Sequence, residues 1–293
     1  MTVLDALRAR IAAGSTPGAR SDGLRIALSI EGGGSRSAYS AGMAMAVEES
    51  GLLPAFDAVY GTSGGGLNAA WLLSGEGLRW LPSWGWDAVL AERVVHPRRA
   101  LRGGVVVDTR HLVDRVYSDV TPMDFAAILD NPISLHPLAV DAHTRRVADL
   151  SPYLVDAASV RTALRATTAL PLLAGPPVRL AGREFLDGGL AEKVPLATPI
   201  EQGATHLVVL RTVEEAAEAA RRGSRAEKWI LDAYFTARRA APPPGPVVPG
   251  TAEVLQIWVP EGSPAVGRLS NDGPLISRAV ELGRDAALTA LRA

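Results

Sequence analysis

Leu24-Arg25-Ile26-Ala27-Leu28-Ser29-Ile30-Glu31-Gly32-Gly33-Gly34-Ser35-Arg36-Ser37 is followed twenty residues later by Ala58-Val59-Tyr60-Gly61-Thr62-Ser63-Gly64-Gly65-Gly66. In each stretch a short apolar run meets a cluster of glycines. The first run reads as a strand over Leu24–Ile30, and the Ala- and Met-rich residues from Ala38 to Ser50 read as a helix stopped at Gly51. The second reads as a strand from Phe56 to Tyr60 ending at Gly61, with a helix over Gly64–Leu73. Strand, glycine turn and helix, repeated, is the alternation of a parallel sheet with helices on its faces. The predicted fold class is α/β.

Working outward, strand character returns at Ile133–Val140, at Glu184–Leu186, at His206–Leu210 and at Val254–Val259. Helices are expected over Val160–Thr168, ending near Pro171, and over Gly273–Arg292. Residues 78–130 look helical with polar interruptions and suit a cap over the carboxyl edge of the sheet. The run Ala241-Pro242-Pro243-Pro244-Gly245-Pro246 through Gly250 suits an exposed extended loop, because proline breaks helices and central strands. No repeat is visible and the alternation never resets. The expected organisation is therefore an N-terminal helix and linker over 1–22, then a single domain over 23–293 that includes the cap.

The 293 residues suffice for a sizeable core, and 47% hydrophobic with 21% charged is the balance of an ordinary globular protein. A net charge of -1 gives no global field to recruit nucleic acid, so no nucleic-acid partner is expected. With no cysteine, thiol catalysis, disulfides and thiolate metal sites are excluded. No secretory signal and no run of about 18 apolar residues is visible. The expectation is a cytoplasmic protein that meets any lipid from the aqueous side, with transient contact at a membrane surface.

Gly61-Thr62-Ser63-Gly64-Gly65 fits G-x-S-x-G, with a strand before it and a helix after it. That context places a serine on a sharp strand-to-helix turn, its hydroxyl exposed and a helix N-terminus behind it. The simpler alternative is a flexible glycine loop. In the first turn, successive N–H groups at Gly32, Gly33 and Gly34 can converge on an anion, and Arg36 stands close enough to balance charge or shape the loop. For an acyl-transfer oxyanion, each such donor is worth about 3 to 4 kcal/mol. A tight structural turn and a nucleotide site compete with this reading. The nucleotide fingerprint fails at Ser37, where a third glycine belongs, and Glu48 and Glu49 fall inside the first helix.

A serine nucleophile needs a proton acceptor. His96, His111, His136 and His143 all precede Asp187-Gly188-Gly189, against the chain order of an α/β-hydrolase triad. His206 alone follows, at the start of an apolar strand where a capping or packing role is expected. Asp187, on a tight turn, is the candidate general base, although Asp-Gly-Gly alone also suits a plain hairpin.

These residues together resemble the patatin-like phospholipase family. The resemblance covers about Leu24 to Leu210. It rests on Gly32-Gly33-Gly34-Ser35-Arg36, on the turn around Ser63, on Asp187-Gly188-Gly189, and on Arg165-Ala166-Thr167-Thr168-Ala169-Leu170-Pro171 followed by Pro176-Pro177-Val178. It implies a three-layer α/β/α fold with a mostly parallel sheet. It implies a Ser–Asp dyad of Ser63 and Asp187, with backbone N–H groups of Gly33, Gly34 and Ser35 as oxyanion donors. Gly32, Arg36, Gly61, Gly65 and Gly188 would support them. The implied activity is hydrolysis of phospholipid or neutral-lipid acyl esters through an acyl-enzyme, with no cofactor or metal. The chain departs from the family pattern at Ser37, where glycine is usual.

Four of the six tryptophans, Trp71, Trp80, Trp84 and Trp86, follow the nucleophile turn closely. They suit either a cap packed on the sheet or a wall for an acyl chain over Leu78–Leu90. A metal site from His136, Asp141 and His143 is disfavoured, since His136 and Asp141 point to opposite faces of a strand. Arg98, Arg99 and Arg102, and the pair Arg221-Arg222, read as solvated surface. The expected function is a serine lipid acyl hydrolase. Its rivals are a His206-dependent esterase and a catalytically weak lipid-binding or regulatory protein of the same fold.

Overall fold

The computed structural model describes residues 1–220 and 251–292 of the chain; the proline-rich stretch 241–250 and Arg221-Arg222 lie outside the described residues. Among the described residues, one eight-stranded sheet comprises β1 (Ile26–Ile30), β2 (Ala58–Thr62), β3 (Ser134–Asp141), β4 (Val147–Asp149), β5 (Val178–Leu180), β6 (Arg183–Asp187), β7 (His206–Leu210) and β8 (Glu253–Ile257). The order is β5-β6-β3-β2-β1-β7-β8, with β4 paired to β3 off that path. From β3 to β8 every pairing is parallel, and β4, β5 and β6 add antiparallel pairings.

The central strands are continuous apolar runs because both their faces are covered. All five residues of β1 are buried. Ile26, Leu28 and Ile30 enter the main core, and Ala27 joins Tyr60, Leu207 and Val209 on the other face. Each buried Leu or Ile contributes roughly 1.5–3 kcal/mol. Over the main face lie α2 (Ser37–Glu49), α3 (Gly64–Leu73) and the long C-terminal helix α5 (Gly273–Arg292), preceded in the chain by α1 (Val3–Ala12) and α4 (Ala157–Thr167). Val194, Leu196 and Ile200 cover the opposite face. This is the three-layer α/β/α arrangement.

Several elements differ from their expected bounds, each for a local reason. The second strand runs over Ala58–Thr62, two residues later than expected, because Leu53–Ala55 forms a 3-10 turn around Pro54 and leaves Phe56 as its cap. The shift carries Thr62 to the sheet edge and sets Ser63 directly beyond it. α4 starts at Ala157 because Asp156 caps it, its carboxylate accepting the Ser159 N–H at 2.7 Å. β6 extends through Asp187 itself.

The N-terminal segment is more than a polar helix and linker. Val3, Ala6 and Leu7 of α1 are buried in the main core. Arg10, 2% exposed, bonds Asp22 at 2.6 Å and Asp57 at 2.8 Å. Residues 78–130 are a succession of short pieces, including 3-10 turns at Leu81–Gly85 and Pro97–Arg102 and a π-helix at Leu112–Val120. Among the described residues no helix is long and apolar enough to cross a membrane.

Candidate active site

Ser63 follows β2 and caps α3 with φ 55° and ψ -129°. A non-glycine residue in this region carries strain of order 1–3 kcal/mol, and such strain clusters at functional sites. The strain is held by close packing of the turn. A Cβ on Gly65 would lie 2.2 Å from the Ile30 carbonyl oxygen, so only glycine lets α3 start this close to β1. The Ser63 N–H donates to Thr167 Oγ1 at 3.0 Å, and Thr167 Oγ1 donates in turn to the Leu138 carbonyl at 2.5 Å.

Sheet register brings Asp187 to Ser63. Leu138 pairs with Thr62 and the next residue, Ala139, pairs with Asp187. The ends of β2 and β6 therefore arrive at consecutive positions along β3. Ser63 Oγ donates to Asp187 Oδ2 at 2.8 Å. Asp187 Oδ1 accepts the Gly189 N–H at 2.8 Å, and the Asp187 N–H donates to the Ala169 carbonyl at 3.0 Å. Burial pushes the Asp187 carboxyl up to about 6, against the lowering effects of the Ser63 and Gly189 hydrogen bonds and the charge of Arg268.

The first glycine turn stands beside this pair. Gly34 has φ 60° and begins a 3-10 turn leading into α2; a Cβ there would lie 2.2 Å from the Arg268 carbonyl oxygen. Among the described residues, the N–H groups of Gly33 and Gly34 donate to no backbone acceptor. The Ser35 N–H is different. It donates to the Arg268 carbonyl at 2.9 Å, and Ser35 Oγ donates to the Ser270 carbonyl at 2.8 Å. Ser35 therefore ties the turn to the 268–270 loop and is not a free oxyanion donor, which corrects the expectation for that residue. Arg36 is buried and lies across Gly33, its Nε 3.2 Å from where a Cβ on Gly33 would stand. Ser37 packs its hydroxyl against Gly64, and its carbonyl accepts from Asn68 Nδ2 at 2.8 Å. The departure from the family pattern thus sits at the contact between α2 and α3.

A buried ion cluster steadies the turn, and the sequence reading assigned it no role. Ile30 pairs with Leu210, so the residues that follow them, Glu31 and Arg211, are neighbours. Arg211 Nε donates to Glu31 Oε2 at 2.9 Å, the Thr212 N–H donates to the same oxygen at 2.9 Å, and Lys193 Nζ lies 2.8 Å from Oε1. Burial alone would raise the Glu31 carboxyl; Lys193 and Arg211 outweigh it and hold the group below its ordinary value. The visible signal was an acidic residue ending one apolar strand and a basic residue ending another.

His206 and His136 are elsewhere. His206 opens β7, four residues before Leu210, the end that reaches the site; its ring contacts Thr205 Oγ1 at 2.9 Å and the Met1 carbonyl at 3.3 Å. His136 Nδ1 contacts Asp149 at 2.7 Å, His136 Nε2 contacts Ser134 Oγ at 2.8 Å, and Tyr60 stacks on the ring. This second Ser–His–Asp alignment starts at the opposite end of β3 from Ala139. Its serine N–H is already bonded to the Asp57 carbonyl at 3.2 Å, so it offers no oxyanion donor of its own. Asp141 pairs with Arg183 at 2.7 Å, separate from His136 and Asp149.

The tryptophans both pack and line space. Trp71 is buried against Trp80 and Tyr117, with ring centroids 6.2 and 5.2 Å away. Trp84 donates to Asn68 Oδ1 at 2.9 Å and reaches 3.3 Å from where a Cβ on Gly64 would stand. A mostly apolar cavity of about 80 Å³ opens here, lined by Ser35, Trp71, Trp84, Leu90, Tyr117 and Ile276 among others.

A family model described as patatin-like phospholipase matches residues 28–200, more than half of the chain. The uncharacterized protein YjjU of Escherichia coli (strain K12) is 30% identical over 217 residues, covering 71% of this chain and 58% of that protein. The chain thus spans 58% of the length of this curated relative. Among solved structures, VipD from Legionella pneumophila aligns with a TM-score of 0.47 at 12% identity, covering 93% of this chain and 67% of that one. Human GIVD cytosolic phospholipase A2, in complex with methyl gamma-linolenyl fluorophosphonate inhibitor and terbium chloride, aligns with a TM-score of 0.41 at 15% identity, covering 99% and 63%.

Proposed function

The chain belongs to the patatin-like phospholipase family, and from that membership we propose that it is a serine lipid acyl hydrolase working through Ser63 and Asp187. The observation that carries the proposal is the 2.8 Å hydrogen bond from Ser63 Oγ to a buried carboxylate whose pKa is raised to about 6. Such a group is ionised at neutral pH, yet basic enough to take a hydroxyl proton as the C–O bond forms.

In this mechanism Ser63 Oγ attacks the ester carbonyl and its proton passes to Asp187 Oδ2. The oxyanion of the tetrahedral intermediate sits on the N–H groups of Gly33 and Gly34. Collapse breaks the ester C–O bond, Asp187 returns the proton to the departing alcohol, and the acyl group stays on Ser63. Water then attacks the acyl-enzyme with Asp187 again taking a proton, and a fatty acid leaves. The cavity beside Trp84 receives the first carbons of the acyl chain, and no step calls for a metal or cofactor. In this proposal residues 23–293 form a single catalytic unit with residues 78–130 as its cap, and α1 packs into its core.

The test is the pH profile of a soluble p-nitrophenyl ester, run beside a phospholipid and a neutral-lipid panel. Asp187 must be ionised to act, and its folded-state pKa is displaced upward. We expect kcat/KM to rise about tenfold per pH unit below about 6 and to level off above it. A profile flat through this region, or one whose inflection disappears in His206→Ala, would contradict the proposal.

A further inference from the structure

Three loops beside the site are bonded into one rim. Residues 95–107 close on themselves through the antiparallel bridge Val95–Val107 and a bond from the His96 N–H to the Val106 carbonyl at 2.7 Å. The N–H groups of Val106 and Val107 both donate to the Leu173 carbonyl, at 2.8 and 2.9 Å. The turn containing Leu173 begins just after Ala169, whose carbonyl holds the Asp187 N–H. The third loop bonds back through Asn271 Nδ2 to the Val95 carbonyl at 3.0 Å, and its Arg268 carbonyl holds the Ser35 N–H.

The rim combines side chains that a solvated surface does not explain together. Leu101 is 86% exposed and Leu172 is 72% exposed. Leu172 also has φ 66°, a backbone region that aliphatic residues rarely occupy, so an asparagine or glycine there would be less strained. Arg98 and Arg102 are exposed and Arg99 is half-buried, 3.9 Å from Asp108. These arginines, with His96, Leu101 and Gly104, line a concave recess of about 320 Å³, and among the described residues no carboxylate is part of its lining. The whole chain carries a net charge of -1, so three arginines within five residues are a local concentration and not a general basic character.

Aliphatic side chains projecting among guanidinium groups are the chemistry that binds an anionic bilayer. The aliphatics enter the acyl boundary while the cations meet headgroup phosphates. We propose that the rim formed by residues 95–107 and 170–174 docks this protein on an anionic phospholipid surface, with Leu101 and Leu172 inserting and Arg98, Arg99 and Arg102 binding phosphate. The proposal deepens the acyl hydrolase reading, on which it rests for its direction: docking there turns the Ser63 mouth toward the lipid.

The experiment is co-sedimentation of the full chain with phosphatidylglycerol–phosphatidylcholine vesicles and with pure phosphatidylcholine vesicles. The wild type is expected to bind the mixed vesicles preferentially, with binding that weakens as salt rises. Each arginine near an anionic surface is worth about fivefold in partitioning, so Arg98→Gln with Arg102→Gln should lower it about 25-fold. Leu101→Ser with Leu172→Asn should lower it tenfold or more on both vesicle types, while Leu172→Asn alone leaves the melting temperature unchanged or raised. Equal wild-type binding to both vesicle types, or folded variants that bind as the wild type does, would overturn the proposal. Soluble-ester hydrolysis by the wild type is measured in parallel. If it is absent while vesicle docking holds, the reading of the site fails and the docking surface stands.

Discussion

Ser63→Ala is expected to reduce hydrolysis of a soluble ester by about 10⁴-fold or more, without loss of the fold. The magnitude follows from what the hydroxyl does. Without it no acyl-enzyme forms, and only binding and the glycine-turn donors are left to act on the ester. Alanine deletes one oxygen and keeps the strained backbone at φ 55°. The Ser63 N–H still has Thr167 Oγ1 as its partner, so the local structure persists. Circular dichroism and thermal melting of the variant, beside the rate, separate lost chemistry from lost folding. A folded variant with full activity would remove Ser63 from the mechanism.

Asp187→Asn is expected to cost nearly as much activity and, unusually, to raise stability. The amide is nearly isosteric but does not accept the Ser63 proton, so the base is lost; a loss of about 10³–10⁴-fold or greater is expected. The stability effect has the opposite sign. Asp187 is 5% exposed and its carboxyl is raised from 3.8 to about 6 because burial disfavours the charge. The folded state therefore holds a proton more tightly than the unfolded chain does. The favourable contribution is complete below pH 3.8, fades as pH rises through about 6, and leaves a cost of up to about 3 kcal/mol above it. Asparagine has no charge to desolvate, and its Oδ1 still accepts the Gly189 N–H. Denaturant unfolding at pH 8 should show the variant more stable, with the gap closing toward pH 4. A variant less stable at pH 8 would mean that the carboxylate is well compensated where it sits.

The elements legible in the sequence were those whose burial is complete and whose ends are punctuated. His206–Leu210, Gly64–Leu73 and Gly273–Arg292 have the expected bounds, because an unbroken apolar run or a long helical period carries its own limits. The turns that carry the proposed site residues Ser63, Asp187, Gly33 and Gly34 were legible for a related reason. A strained turn needs small residues in fixed places, and these leave a pattern in the chain itself.

What the sequence concealed depends on long-range contact. Thr167 meets Ser63 across 104 positions and Arg211 meets Glu31 across 180, and nothing local announces either pairing. The Ser35 N–H was expected to be free because its partner, the Arg268 carbonyl, arrives from a loop more than two hundred residues away. α1 looked polar because Arg8 and Arg10 are charged, yet Arg10 is buried between two aspartates supplied by later segments. Residues 78–130 broke into short pieces because Pro82, Pro97 and Gly103 interrupt any continuous helix. The arginines near residue 100 looked like ordinary surface until the fold tied residues 106–107 to the Leu173 turn and left Leu101 and Leu172 exposed.

Covalent labelling tests most directly whether Ser63 is activated by Asp187. The protein is treated with a fluorophosphonate probe and digested, and the adduct is mapped in the wild type and in Asp187→Asn. A single adduct on the peptide bearing Ser63, forming far more slowly in the variant, is the predicted outcome. Modification at Ser134 instead, or Ser63 labelled equally fast in both proteins, would contradict it.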